Sequence, residues 1–311
     1  MRKKAKAPKH KVPFKRQMPF YIMMAPGLIM ITLLFYCPLP GLLLAFKDFS
    51  PKQGILGSPW MDPWYKNFEF FFKSDSARQV TFNTLFYNLL EMVLVTVCAM
   101  AIAIALNEVK GKVSSTVYRG AILLPYFLSW IVVQYILFSF LSVDRGIVNN
   151  FIGQEIYWYS EPKYWRIILP LAYLWKNIGY YSVLYTAAIA GINTDYYEAA
   201  QLDGASKWQQ IKAITLPLIK PTCIVLILMW VGKFFNGGFG DWNAFYTLPN
   251  NSGALYSATD VIDTYVYRSL RTLGDYGMST AAGLYQSVVG FILILGSNMV
   301  IKKIDPDNAL F

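Results

Sequence analysis

The stretch NTDYYEAAQLDGASKWQQIKAITLPLIKP, residues 193–221, carries the densest set of local structure signals in the chain. Asp195 is followed three residues later by Glu198, which is the spacing of a capping box at a helix start. Gly204 stands where such a helix would close, in the left-handed region that glycine enters without a Cβ penalty. Ser206 with Gln209 repeats the capping-box spacing and opens a second helix, predicted to end near Leu216-Pro217. The result is a helix–glycine–helix hairpin that exposes few charges. Such a hairpin suits a docking element, and it equally suits an amphipathic connector lying on a membrane surface.

Apolar runs lie on both sides of the hairpin. Charged residues make up 15% of the 311-residue chain and hydrophobic ones 55%, against roughly 25% and 45–50% in an average soluble protein. Charge-free runs cover Gln17–Phe46, Gly120–Val143 and Tyr276–Ile301, each longer than the about 20 residues a bilayer-spanning helix requires. Six spans are predicted: 19–46, 78–106, 119–142, 166–190, 218–241 and 277–301. The second, fourth and fifth are each interrupted by one internal charge, Glu91, Lys176 and Lys233. The fold class is therefore an all-α polytopic membrane protein, and soluble or disordered classes are excluded.

The net charge of +10 is placed unevenly, with eight Lys and Arg in the first 16 residues. Because this basic tail abuts an apolar span, retention in the cytoplasm explains it better than nucleic-acid contact. The first apolar run is too long for a signal-peptide core and has no convincing small-residue cleavage site, so it reads as an uncleaved helix. An N-inside start makes both termini cytoplasmic and puts sixteen Lys and Arg on that side against ten outside. The chain then divides into a basic tail 1–16, a six-helix domain 17–301 with the hairpin at 193–217, and a C-terminal tail 302–311. The outer segments 47–77, 143–165 and 242–276 are rich in Trp, Tyr, Pro and Gly, as interfacial belts are. Cys37, Cys98 and Cys223 all fall in apolar spans, where a disulfide framework is not expected, and His10 is the sole histidine, so no His-based metal site can be assembled.

Glu198-Ala199-Ala200, Asp203-Gly204-Ala205, Ile214 and Leu216-Pro217 together resemble the EAA loop of ABC importer permeases, in full and at the right spacing. The longer form Glu-Ala-Ala-x-x-Asp-Gly-Ala is similar to the sugar branch of that family. Asn251–Tyr256, Val261–Arg268, Gly283–Gly290 and the tail Asp307–Phe311 resemble permeases for complex oligosaccharides of the aldouronate type. The resemblance covers roughly residues 17–311 and leaves the basic tail unexplained. It implies a type I importer permease in a bacterial plasma membrane, surrounded by lipid, whose hairpin couples to a separate ATPase dimer that binds ATP and Mg. It also implies a second homologous permease and an extracellular substrate-binding protein that delivers an oligosaccharide.

Nothing in the chain looks like an ATPase or a bound cofactor site. Gly111-Lys112 and Gly232-Lys233 are the only Gly-Lys pairs, and neither has the surroundings of a phosphate-binding loop. At 1.5 Å per residue, Glu91, Lys176 and Lys233 lie about 15–20 Å into their spans, near mid-depth. Ionisable groups there face protein or water rather than lipid. One reading pairs Glu91 with one of the lysines, which leaves the other to an acid of the partner permease or to the carboxylates of a uronate-bearing cargo. Tyr173, Lys176, Asn177 and Tyr180 share one helix face by their spacing. The resemblance to maltose-type permeases makes that face part of the sugar path, although Lys176 departs from the maltose-type pattern. Helix packing or lipid contact is the plainer reading of the tyrosines. Lys233 and Asn236 extend the candidate path to a glycine-rich stretch at 237–240. An intramembrane enzyme acting on lipid-linked sugars and a secondary transporter are the alternatives. The first is disfavoured by the lack of paired carboxylates or a histidine base at mid-depth.

Overall fold

The computed structural model describes residues 14–109, 111–144, 146–235, 243–304 and 306. Among these all regular secondary structure is helical, with one isolated bridge between Lys47 and Trp60. The principal helices are α1 (Phe14–Ile31), α2 (Asp75–Glu108), α3 (Lys112–Leu123), α4 (Trp130–Leu141) and α5 (Pro162–Ala190). They are followed by α6 (Thr194–Leu202), α7 (Lys207–Val231), α8 (Ile262–Arg268) and α9 (Tyr276–Ile304).

The bundle is organised around α5, which packs most extensively on α2 and also touches α3 and α7. On α2 the buried positions Val80, Thr84, Asn88, Glu91, Val95, Ala99 and Ala103 follow one another three or four residues apart. Such a stripe faces one neighbour, and its alanines let the α5 backbone come close. The central placing of α5 explains its composition. Lys176, Asn177, Ser182 and Thr186 are all buried, and three of them bond to their own helix. Asn177 donates to the Tyr173 carbonyl at 3.0 Å, Ser182 to Gly179 at 2.8 Å and Thr186 to Ser182 at 2.7 Å. Buried polar groups are thereby satisfied without breaking the helix.

The six predicted spans resolve less evenly than their hydropathy suggested. Among the described residues, four helices are long and apolar enough to cross a membrane: Gln17–Phe46, α2, α7 and α9. α5 has the length for a crossing, but its polar face keeps it outside that set. The third span is bent by 95° between Val113–Phe127 and Trp130–Leu141. Pro125 removes a helical donor there, and Ser129 restarts the helix by accepting a hydrogen bond from the Val132 N–H at 3.3 Å. The fifth span begins earlier than residue 218. α7 starts at the second capping box and runs past Pro217 instead of stopping, because a π turn at Ile211–Thr215 precedes the proline. In that turn the Leu216 N–H bonds to the Ile211 carbonyl, so the ladder shifts register ahead of the missing donor. α7 ends at Val231, and the glycine-rich stretch with Asn236, Asp241 and Trp242 lies outside the described residues, as do most of the basic tail and Asp307–Phe311.

The first apolar run is not part of the core. Its most apolar window is only 6% buried, and it is its last segment, Leu39–Phe46, that packs extensively on α9. From residue 18 onward α1 thus presents an apolar surface all round, as lipid-facing helices do.

The N-terminal half of α2 holds the segment 256–262 through polar side chains. Gln79 donates to the Tyr256 carbonyl at 3.2 Å, Asn83 to Ser257 at 3.2 Å and Asp260 at 2.9 Å, and Tyr87 to Ala258 at 2.6 Å. In return the Ile262 N–H donates to Thr84 at 3.0 Å. Asp260 also accepts from Thr264 and from both terminal nitrogens of Arg268, whose guanidinium lies 3.8 Å over the Tyr256 ring. Tyr87→Phe would strand a buried carbonyl, a loss of about 1–3 kcal/mol. A lower apparent Tm in detergent is the expected result, with no change for Tyr36→Phe on the exposed first span.

Candidate functional site

A cavity of about 830 Å³ opens between α5, α7 and the bend of the third span. Its volume falls in the roughly 300–1,000 Å³ range of small-molecule sites. Tyr173, Lys176, Asn177 and Tyr180 from α5 line one wall, and Lys233 faces the same space from the turn that follows α7. Five of the six residues expected along the path are therefore brought together. The sixth, Asn236, lies outside the described residues. Glu91 is fully buried on α2, in register with Asn88 and Val95, and is not on the cavity wall.

The chemistry of the cavity is a cation among rings. Lys176 donates to the Tyr126 carbonyl at 3.0 Å, and its ammonium lies 5.3 Å from the Tyr126 ring and 5.1 Å from the Trp130 ring. Tyr126 stacks on Tyr180 with centroids 4.7 Å apart and planes 12° from parallel. A buried lysine retains its charge only with such compensation. Amide, hydroxyl and ammonium groups beside ring faces can bind hydroxyls and carboxylates while the rings cover C–H surfaces.

Tyr126 and Phe127 were not expected from the sequence, nor were Tyr181, Leu184, Leu226 and Met229. For Tyr126 and Phe127 a signal existed: Pro125 and Ser129 bracket them, and non-helical backbone at membrane depth survives where it lines a cavity. The aliphatic wall residues carry no such mark.

The hairpin forms as a self-supported unit. Its first cap is Asn193 rather than Asp195: the Asn193 side chain accepts from the Asp195 N–H at 3.0 Å, which moves the helix start two residues back. Gly204 has φ +77°, as a closing glycine should. The second capping box is complete, with Ser206 N–H to Gln209 at 2.7 Å and Gln209 N–H to the Ser206 hydroxyl at 3.4 Å. Gln210 donates to the Ala205 carbonyl at 2.9 Å, and the Tyr197 and Thr215 hydroxyls meet at 2.9 Å. Glu198, Ala199, Asp203, Gly204 and Pro217 are exposed, whereas Ala200, Ala205, Ile214 and Leu216 are half-buried. Leu202 is 90% exposed and Trp208 70%.

The family model "Binding-protein-dependent transport system inner membrane component" matches residues 95–305. The chain belongs to that family. It is a multi-pass membrane permease of a bacterial transport system. Protein LplB of Bacillus subtilis is 36% identical over 94% of this chain and 92% of its own length. The polygalacturonan/rhamnogalacturonan transport system permease YteP of the same organism is 32% identical over 98% and 94%. A bacterial ABC transporter involved in the import of the acidic polysaccharide alginate matches in structure with a TM-score of 0.84 at 32% identity, covering 94% of this permease and 98% of that chain. The same type of transporter, in complex with its alginate pentasaccharide-bound periplasmic protein, gives a TM-score of 0.83. The type I permease fold expected from the hairpin is thereby shown.

Proposed function

We propose that the permease forms half of the membrane path of an ATP-driven importer of acidic, uronate-bearing oligosaccharides, and that the cargo passes through the cavity at α5. The observation that carries this reading is the pair of lysines, Lys176 and Lys233, that line one cavity with Asn177 and the tyrosine rings. A neutral sugar offers these cations only hydroxyl oxygens, whereas a uronate offers hydrogen-bond acceptors that carry a full counter-charge. Relatives named for polygalacturonan/rhamnogalacturonan and alginate support the same cargo class. A second permease completes the path, a binding protein delivers sugar from outside, and the exposed hairpin docks on an ATPase dimer that holds ATP and Mg.

Uptake by Lys176→Gln and Lys233→Gln variants tests the cargo. Each substitution is expected to reduce uptake of a galacturonate trisaccharide by about tenfold or more, since a charge-assisted bond is worth about 1.5–3 kcal/mol. Uptake of a neutral trisaccharide should change far less. Equal losses for both sugars, with the ATPase released from the complex, would show the lysines to be structural.

A further inference from the structure

The bend in the third span and the lysine of the fourth meet at one point. The break separates two arms: Val113–Phe127 before it and Trp130–Leu141 after it. Lys176 touches both. Its ammonium bonds the Tyr126 carbonyl on the first arm and lies over the ring of Trp130, the residue that opens the second. Ring stacks one turn away on either side reinforce the grip. Tyr180 stacks on Tyr126, and Tyr173 stacks on Trp130 at 6.2 Å and 19°. One face of α5, at positions 173, 176 and 180, therefore clasps both arms.

The arms are not held equally. The first is pinned to α5 by backbone contact: a Cβ on Gly179 would lie 2.1 Å from the Ile122 carbonyl oxygen and 2.8 Å from the Leu123 Cα. Tyr173 and Lys176 meet the second arm at Trp130 through side chains, which can part without moving a main chain.

We propose that Lys176 is a carboxylate-responsive latch on the third span. At rest its ammonium fixes the bend. An anionic ligand entering the cavity adds a full counter-charge to the hydrogen bond, an attraction the Tyr126 carbonyl does not supply, and the ring-held cation is lost to the second arm. α4 then swings while the pinned first arm stays in place. Cargo recognition and opening become one event, with Tyr126 and Trp130 as positioning residues. This rests on the acidic-cargo reading for its trigger and not for the latch itself.

The test uses the complete transporter with its binding protein in lipid nanodiscs, with Cys37, Cys98 and Cys223 replaced by Ser. Spin labels are placed at Val117→Cys on α3 and Tyr135→Cys on α4, two exposed positions, and pulsed electron resonance reads the distance between them. Without sugar the parent should give one narrow distribution. Lys176→Met should shift or broaden it without any ligand, and Lys176→Arg should restore it. Lys176→Gln, which keeps a neutral donor but no cation, serves as a second probe should the Met variant fail to assemble. Galacturonate trisaccharide should move the parent towards the Met distribution, while maltotriose leaves it unchanged. Neutral variants whose distributions superimpose on the parent would overturn the latch. A latch that opens alike for both sugars would overturn the carboxylate trigger, and uptake of the two sugars measured alongside separates that result from a wrong cargo class.

Discussion

Gly179→Ala is expected to remove almost all transport and most of the assembled protein. The added methyl carbon would lie 2.1 Å from the Ile122 carbonyl oxygen, 2.6 Å from its carbon and 2.8 Å from the Leu123 Cα. These are main-chain atoms, which cannot swing aside as a side chain would, so α5 and α3 must separate. Overpacking a core usually costs about 1–3 kcal/mol, and a clash with main chain belongs at or above the top of that range. Separation would also carry Lys176 and Tyr180 away from Tyr126, so surviving protein should have a damaged cavity. Gly191→Ala is the control, because its Cβ would meet nothing closer than 3.5 Å. Size-exclusion profiles and uptake, measured side by side, check the contrast. Normal assembly and uptake by Gly179→Ala would mean that α3 and α5 are not packed as described.

The importance of Gly179 was invisible in the sequence, where it is one glycine in a run of tyrosines. Periodicity tells which face of a helix is buried but not how close a neighbouring backbone comes. The face of Tyr173, Lys176, Asn177 and Tyr180 was legible for that reason, since spacing alone puts these residues side by side. The bend of the third span was legible only in part. Hydropathy sums a run without regard to chain direction, so Gly120–Val143 read as one crossing although Pro125 and Ser129 marked a stop and a start within it. The passage of α7 through Pro217 was hidden for the opposite reason. Proline usually ends a helix, and only a π turn ahead of it, set by backbone register rather than by residue type, lets the helix continue. The hairpin was read almost completely because its determinants are local: two caps and a glycine, with only the first cap displaced from Asp195 to Asn193.

That local self-sufficiency makes the hairpin the sharpest place to test its partner. Leu202→Ser combined with Trp208→Ser removes two large apolar side chains that are 90% and 70% exposed. Neither side chain takes part in the caps or side-chain hydrogen bonds that shape the hairpin, which run through Asn193, Ser206, Gln209, Gln210, Tyr197 and Thr215. Membrane insertion and yield should therefore be unchanged. An apolar anchor seated in a partner's pocket is commonly worth 2 kcal/mol or more, roughly 30-fold in affinity for each residue. If these two side chains enter the ATPase, co-purification of that subunit and sugar-stimulated ATP hydrolysis should both collapse. An amphipathic connector resting on lipid predicts the reverse: ATPase retained, and the hairpin more open to protease in proteoliposomes. The two outcomes cannot be mistaken for each other, because one reads out on a different polypeptide and the other on this chain.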